Sequence, residues 1–422
     1  MRKKLLGITA LASGALLAPV VVPVVASNAA TTSAVSTSRS SLGHGMLAQA
    51  QREAVARFRS GAAGTAQRSM TATSAAGPTV VVSGLNNPRQ LSLLSGQDVL
   101  LVAEAGRGGS ACTGSGQDQT CVGATGAISA VLGPQTASST KPLRIVERLL
   151  SGAGPDGSGA VGSDGVSART LNRIYVQMTW APPDVIPQGL PGDQAGKLLR
   201  TRPFGPKASV ADLAAHEAAH DPDHQGFDSD PYAVLVLPHR ILVADAAGND
   251  ILSVDPRTGR ISTFAVLPNI NEGACKGAPN DAGTVGCDAV PTSLAVGPHG
   301  AIYVGGLGGE APGTGRVWRL NPRTGNVQWT WRHLTTVTGV AVDRWGAIYA
   351  SELFGGSDPD LPGAVVKIPR YGNRTTRQVP LPAGLAVDRW RNVYVSAFSL
   401  APATGLGVPG MDTSGQVWRL RF

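Results

Sequence analysis

The sequence is poor in charge and in aromatic rings: 15% of its 422 residues are charged and 5% are aromatic. It has no P-loop and no G-x-G-x-x-G following a strand, so nothing marks a phosphate or dinucleotide cradle. It also lacks the G-x-S-x-G elbow of a hydrolase triad. No 3.6-residue apolar periodicity runs through it, which excludes an α-solenoid. Beyond the leader there is no stretch of 18 apolar residues, so no membrane-spanning helix is expected in the mature chain.

What the chain does have is turn residues. With 54 Gly and 30 Pro, it suits many short strands joined by turns rather than a helical bundle or coiled coil. The formal charge of +8 is uneven, because residues 1–77 hold eight basic residues against one acid, Glu53. The remainder is close to neutral, so the totals support no nucleic-acid-binding face.

Arg2, Lys3 and Lys4 precede an apolar run from Leu5 to Ala26 that Gly14, Pro19 and Pro23 interrupt. Small residues then allow cleavage after Ala26 or Ala29, the pattern of a secretory signal over residues 1–29. The prolines and small residues disfavour the alternative, an uncleaved anchor. Residues 30–77 are rich in Ser, Thr, Ala and Gly and poor in bulky apolar side chains, as in a flexible spacer. The four cysteines form two close pairs, Cys112 with Cys121 and Cys275 with Cys287. In an exported chain such spacing reads as two loop disulfides, and metal-type CxxC spacing is absent. The expected location is secreted, either extracellular or periplasmic.

From residue 78 onward the chain repeats. The clearest copies run Ser293 to Val304, Gly339 to Ala350 and Gly384 to Val395, spaced 46 and 45 residues apart. A third strand follows each copy (Val317 to Leu320, Val365 to Ile368, Val417 to Leu420), and a Gly-containing turn leads to a fourth. Four short strands in that period describe a propeller blade; a β-helix would repeat faster. Fainter copies begin at Leu100, Arg173 and Ile241. The expected fold is therefore all-β: a six-bladed β-propeller over residues 78–422, closed by the N-terminal strand Val80 to Val82 joining the last blade.

In such a blade the first and third turns lie on one face. The other connections, here mostly long and containing both cysteine pairs, lie on the opposite face. Long loops gathered on a rigid scaffold are the usual form of a binding surface. Residues expected at the channel mouth on that face are Asn86, Asn87, Arg89, Glu104, Asp245, Asn249, Thr292 and Glu352. Acids and amides from separate blades could hold one calcium ion there. The competing reading is that an acid ending a strand simply caps its turn, as Asp245 could before Gly248. Asp343 and Asp388, in the short turns of the other face, read as structural.

His216-Glu217-Ala218-Ala219-His220 matches the zinc-protease pattern. Asp221-Pro222 stops the helix at once, Gly226 stands where a metzincin has its third His, and no protease-sized domain surrounds the motif. Only adventitious zinc or nickel affinity is expected from His216, His220 and His224.

Several segments resemble the ScyD/ScyE family, exported bacterial propeller proteins named from the gene cluster of a sunscreen pigment, scytonemin. They are Gly84 to Arg89, Val102 to Gly109, Cys121 with Thr125-Gly126, Asp212 to Ala215, Asp228 to Tyr232, Ala244 to Asp250 and Val290 to Ser293. Together they cover nearly all of residues 79–422 in order. The resemblance implies the propeller fold and export, and it brings no established reaction. The family pattern lacks the HExxH of residues 216–220. The expected function is binding of a ligand or an envelope or extracellular protein partner by a monomer. The alternative is a metal-dependent lactonase or lyase at the channel mouth, with Glu104, Asp245, Asn249 and Glu352 as ligands. N-terminal sequencing of the exported protein should begin at Ser27 or Ala30; a start at Met1 would sink the signal reading.

Overall fold

The computed structural model describes residues 77–94, 96–116, 119–354, 363–402, 404–405 and 415–422. The expected signal and nearly all of the spacer lie outside them. The architecture is a six-bladed β-propeller. The first strand, β1 (Thr79–Leu85), belongs to the last sheet. Blade 1 contains β2 (Pro88–Leu94), β3 (Val99–Glu104), the short β4 (Ala111–Thr113), the long β5 (Thr120–Leu132) and β6 (Leu143–Ala153). Blade 2 contains β7 (Ser163–Thr170), β8 (Arg173–Met178), β9 (Lys197–Thr201) and β10 (Ala208–Asp212). The helix α1 (Leu213–His220) then leads to blade 3. That blade is β11 (Pro231–Val236), β12 (Ile241–Asp245), β13 (Asp250–Val254) and β14 (Ile261–Val266). Blade 4 is β15 (Pro291–Val296), β16 (Ile302–Gly306), β17 (Gly315–Leu320) and β18 (Val327–Leu334). Blade 5 is β19 (Val337–Val342), β20 (Ile348–Glu352), β21 (Ala364–Ile368) and β22 (Thr375–Gln378). The sixth sheet is ordered β1, β25 (Gly415–Leu420), β24 (Val393–Ala397), β23 (Leu385–Val387). In it Val80 stands opposite Trp418 and Val82 opposite Val417.

Burial explains why the strands are not equally visible in the sequence. A second strand such as β12 is covered on both faces by neighbouring blades, and all of Ile241–Asp245 is buried. It therefore reads as a continuous apolar run. Outer strands such as β18 are largely exposed and mix polar with apolar residues. The core consists of clusters lying between adjacent blades. One packs Tyr349, Val365, Val395 and Trp418 from blades 5 and 6. Another packs Tyr175, Leu198, Val234 and Val243 from blades 2 and 3.

The connection that holds Cys112 and Cys121, expected to be a long loop, includes a hairpin. Strand β4 pairs with β5, and Cys112 faces Cys121 across it. Both disulfides, Cys112–Cys121 and Cys275–Cys287, are formed. The central channel is bridged near the start of the innermost strands. Gln90 Nε2, from blade 1, donates to the carbonyls of Thr292 in blade 4 and Thr338 in blade 5, at 2.8 Å each.

Neighbouring blades are stitched by buried hydroxyls. Ser396 Oγ of blade 6 donates to the Arg89 carbonyl of blade 1 at 2.7 Å. Ser396→Ala should leave that carbonyl without its donor and cost about 1–3 kcal/mol. The readout is a lower urea midpoint at unchanged slope; an unchanged midpoint would mean the bond is dispensable.

Candidate functional site

The residues expected at the channel mouth are engaged, each by its own surroundings. Glu104 ends β3 fully buried, ion-paired to Arg144 at 2.8 Å and accepting from Ser129 Oγ at 2.6 Å and the Asn86 amide at 2.7 Å. Asn87 has φ of 49° and donates from Nδ2 to the carbonyls of Gly106 and Gly157, tying two loops. Arg89 Nε lies 3.2 Å from Asp164, and its Nη2 donates to the Ala160 carbonyl. Thr292 Oγ1 donates to the Val337 carbonyl at 2.7 Å, linking blades 4 and 5. Glu352 accepts from the Thr335 amide at 2.8 Å, and burial raises its pKa. Glu104 and Glu352, on blades 1 and 5, thus hold local backbone and hydroxyl groups, and Glu104 is already neutralised by Arg144.

Asp245 and Asn249 sit elsewhere in chemical terms, beside an acidic cluster at the junction of blades 2 and 3. Asp245 does cap its turn, accepting from the amides of Asp230 at 2.6 Å and Gly248 at 3.3 Å and from Ser229 Oγ at 2.7 Å. Burial nevertheless pushes its pKa up to about 6, the hydrogen bonds opposing the rise. Asn249, at φ of 52°, donates to Asp223 Oδ2 at 3.0 Å and accepts from the Val290 amide at 3.1 Å.

The centre of the cluster comes from α1. Asp212 caps its start, with Oδ1 accepting from the Ala215 amide at 3.0 Å. Asp221 ends it in the left-handed region, φ 40°, with its amide bonded to the Glu217 carbonyl. Leu213, Ala214 and Glu217 form the buried side of the helix. The HExxH motif is therefore split. His216 and His220 stack with ring centroids 4.1 Å apart, while Glu217 points into the protein. The His216 pKa is lowered by burial and by His220.

Glu217 and Asp250 are both fully buried, and none of their four carboxylate oxygens has a hydrogen-bond partner. No ion pair among the described residues reaches them. Asp250 opens β13 directly opposite Asp245. Burial and then Asp245, Glu217 and Asp223 push its pKa well up. Burial, followed by Asp245, Asp223, Asp221 and Asp228, pushes Glu217 up to about 8. The backbone at Gly248 passes so close that a Cβ there would lie 3.1 Å from Glu217 Oε2.

One oxygen each of Glu217, Asp221 and Asp223 lies within 4.8 Å of the others. Two oxygens on one calcium ion, at about 2.3–2.6 Å each, are at most about 5 Å apart. This donor set is all oxygen, which suits calcium rather than zinc. The cluster is braced from outside by Gln225. Its amide N–H and Nε2 donate to Asp223 at 3.0 Å each, and its Oε1 accepts from Asn280 at 3.0 Å and Thr284 at 3.1 Å. These partners belong to the loop that Cys275–Cys287 closes.

In the sequence Glu217 stands out only as part of the HExxH pattern and Asp221 only as a helix stop, while Asp223 and Asp250 carry no motif. A signal was present. From Ala208 to Asp255 the chain has nine carboxylates and a single Arg or Lys, Arg240.

No family model and no curated protein matches the chain. Among solved structures it is similar to a streptogramin B lyase, 12% identical over 82% of this chain and 96% of that one, with TM-score 0.42. It is also similar to a calcium-binding regucalcin from Agrobacterium tumefaciens, at 10%, 82%, 93% and 0.47 in the same order. A gluconolactonase from Xanthomonas campestris gives 11%, 82%, 88% and 0.45. The chemistry of the site rests on its own residues.

The cluster fixes a pH dependence for metal-free protein. A carboxyl whose pKa is higher folded than unfolded binds its proton more tightly in the folded state. For Glu217 the resulting stability is full below its ordinary 4.5 and is lost as pH rises through about 8. Melting temperature in chelator should fall across that window, and less so in Glu217→Gln. A flat profile would contradict the burial of an unpartnered carboxyl.

Proposed function

We propose that this chain is an exported binding propeller of the ScyD/ScyE kind whose loop-rich face is organised by a bound calcium ion. Glu217, Asp221 and Asp223 are the oxygen donors, with Asp245 and Asp250 adding charge from behind. The observation that carries this reading is the pair Glu217 and Asp250, fully buried with every carboxylate oxygen unpartnered. An ionised carboxylate buried without compensation costs several kcal/mol. Either protons or a cation must offset that cost, and a divalent ion neutralises two carboxylates at once.

A cation there would tie α1 to the turn after it and, through Asn249 on Asp223, to the β12–β13 corner. Through Gln225 it would also hold the disulfide-closed loop. The surface so fixed is the loop face, where a small ligand or an envelope or extracellular protein would bind. Two disulfides point to a non-cytoplasmic compartment, and secretion completes the proposal.

The test is calorimetric titration of chelator-treated protein with calcium, followed by thermal melts. One ion per chain should bind and raise the melting temperature. Asp223→Asn should remove that binding; Asp250→Asn should weaken it and, with its buried charge gone, melt higher than the parent in chelator. Absence of calcium binding in the parent would sink the proposal. Zinc binding lost in His216→Ala would return the site to the HExxH motif, and calcium-dependent lactone hydrolysis would make the same centre catalytic.

A further inference from the structure

The near-neutral sum over the propeller conceals a strong segregation of charge. On the face formed by the short turns, every blade from the second to the sixth presents exposed arginine: Arg202, Arg257, Arg323, Arg344 with Arg370, and Arg389. Blade 1 adds exposed Lys141. Among the described residues of these turns Asp98 is exposed and Asp255 partly so, the latter accepting the Arg257 and Thr258 amides of its own turn. Asp343 and Asp388 are buried, their carboxylates accepting amides of their own turns: Trp345 and Ala347 for the first, Trp390 and Asn392 for the second. These acids shape the turns and leave most of the arginine charge uncancelled. The described loops of the opposite face are the reverse, with carboxylates from Asp156 to Glu310 and only Arg107 and Lys276 as Arg or Lys.

Aromatic rings accompany the cations on the basic face. Phe204 is 78% exposed, Tyr371 80%, Trp390 55% and Trp345 41%. Each lies one or two residues from an arginine at a turn. Arg389 stacks 4.1 Å from the Trp390 ring, and Arg344 and Arg391 lie 4.1 and 3.7 Å from Trp345. A guanidinium stacked on a ring keeps its planar edge of donors free for phosphate oxygens. Large exposed rings next to cations, repeated at the tips of short turns, favour a water–lipid boundary, where rings sit at headgroup depth. The turns span blades 2 to 6, so the feature is a broad face rather than a track for one polymer strand.

We propose that the turn face docks this protein on an anionic lipid bilayer. Arginines from five blades face the phosphate headgroups, and Phe204, Tyr371, Trp345 and Trp390 enter the interface. This is peripheral and reversible attachment, driven by charge complementarity and weakened by salt. It is independent of the calcium centre on the other face.

The experiment is vesicle flotation of the exported protein in chelator, so that cation bridging is excluded. One set of vesicles mixes phosphatidylglycerol with phosphatidylcholine, and the other is phosphatidylcholine alone. Binding should occur to the anionic set only and fall with added salt. Arg344→Gln and Arg389→Gln should each weaken it about fivefold, with melting temperature unchanged. Trp390→Ala should weaken it and remove part of the blue shift in tryptophan emission. Arg107→Gln and Lys276→Gln, on the opposite face, should leave binding intact, and all variants keep the basic residues of the spacer. Equal binding to both vesicle sets, no effect of the turn variants, or equal loss from the opposite-face variants would overturn the proposal. So would retention by a soluble polyanion such as dextran sulfate without any flotation.

Discussion

Among the described residues no sheet is shared between two blades, so the ring's integrity rests largely on what adjacent sheets do with their side chains. Apolar contact supplies the bulk of the attraction, and buried hydroxyls fix the alignment. Ser163 reaches the Glu104 carbonyl at 2.6 Å, Ser351 the Ala383 carbonyl at 2.6 Å, and Thr338 the Pro382 carbonyl at 2.9 Å. Each bond ties one blade to the next blade or to the segment leading into it. A shift of one residue in one strand would move its hydroxyl to the other side of the sheet.

That demand explains what the strand-end acids do. Glu104 pairs across its sheet with Ala127, and Glu352 with Ala364, so each acid has room and partners in its own neighbourhood. Blade 3 differs: Asp245 stands opposite Asp250, and α1 delivers Glu217 beside them. There negative charge exceeds the local supply of donors. A surplus of this kind destabilises a fold unless something compensates it, which is why it points to a ligand more directly than an exposed acid does.

The fold was legible because the inner strands are buried on both sides. The runs ending at Val304, Ala350 and Val395 repeat at a blade's period, and their strands fall where the repeats put them. The weak second blade was still visible through Arg173 to Val176 because β8 is buried after its first residue. The hairpin at Cys112 was missed because two paired segments of three residues, 111–113 and 120–122, carry little periodicity. The site was legible only in part. Asp245 and Asn249 were found as channel-mouth candidates, but the sequence could not show that Glu217 is fully buried while His220 lies at the surface. That depends on which side of an eight-residue helix faces blade 3. Nor could summed charge reveal that the cations and carboxylates occupy opposite ends, since alternating connections contribute to alternate faces.

The separation of those two ends makes the described propeller an electric dipole lying along its axis. In a field, or near any charged sheet, it experiences a torque as well as a force, and at low ionic strength it rotates before it touches. Two copies meeting in solution attract when stacked head to tail and repel when face to face. Crowding would therefore favour columns over pairs. Their length would be set by salt rather than by any specific interface.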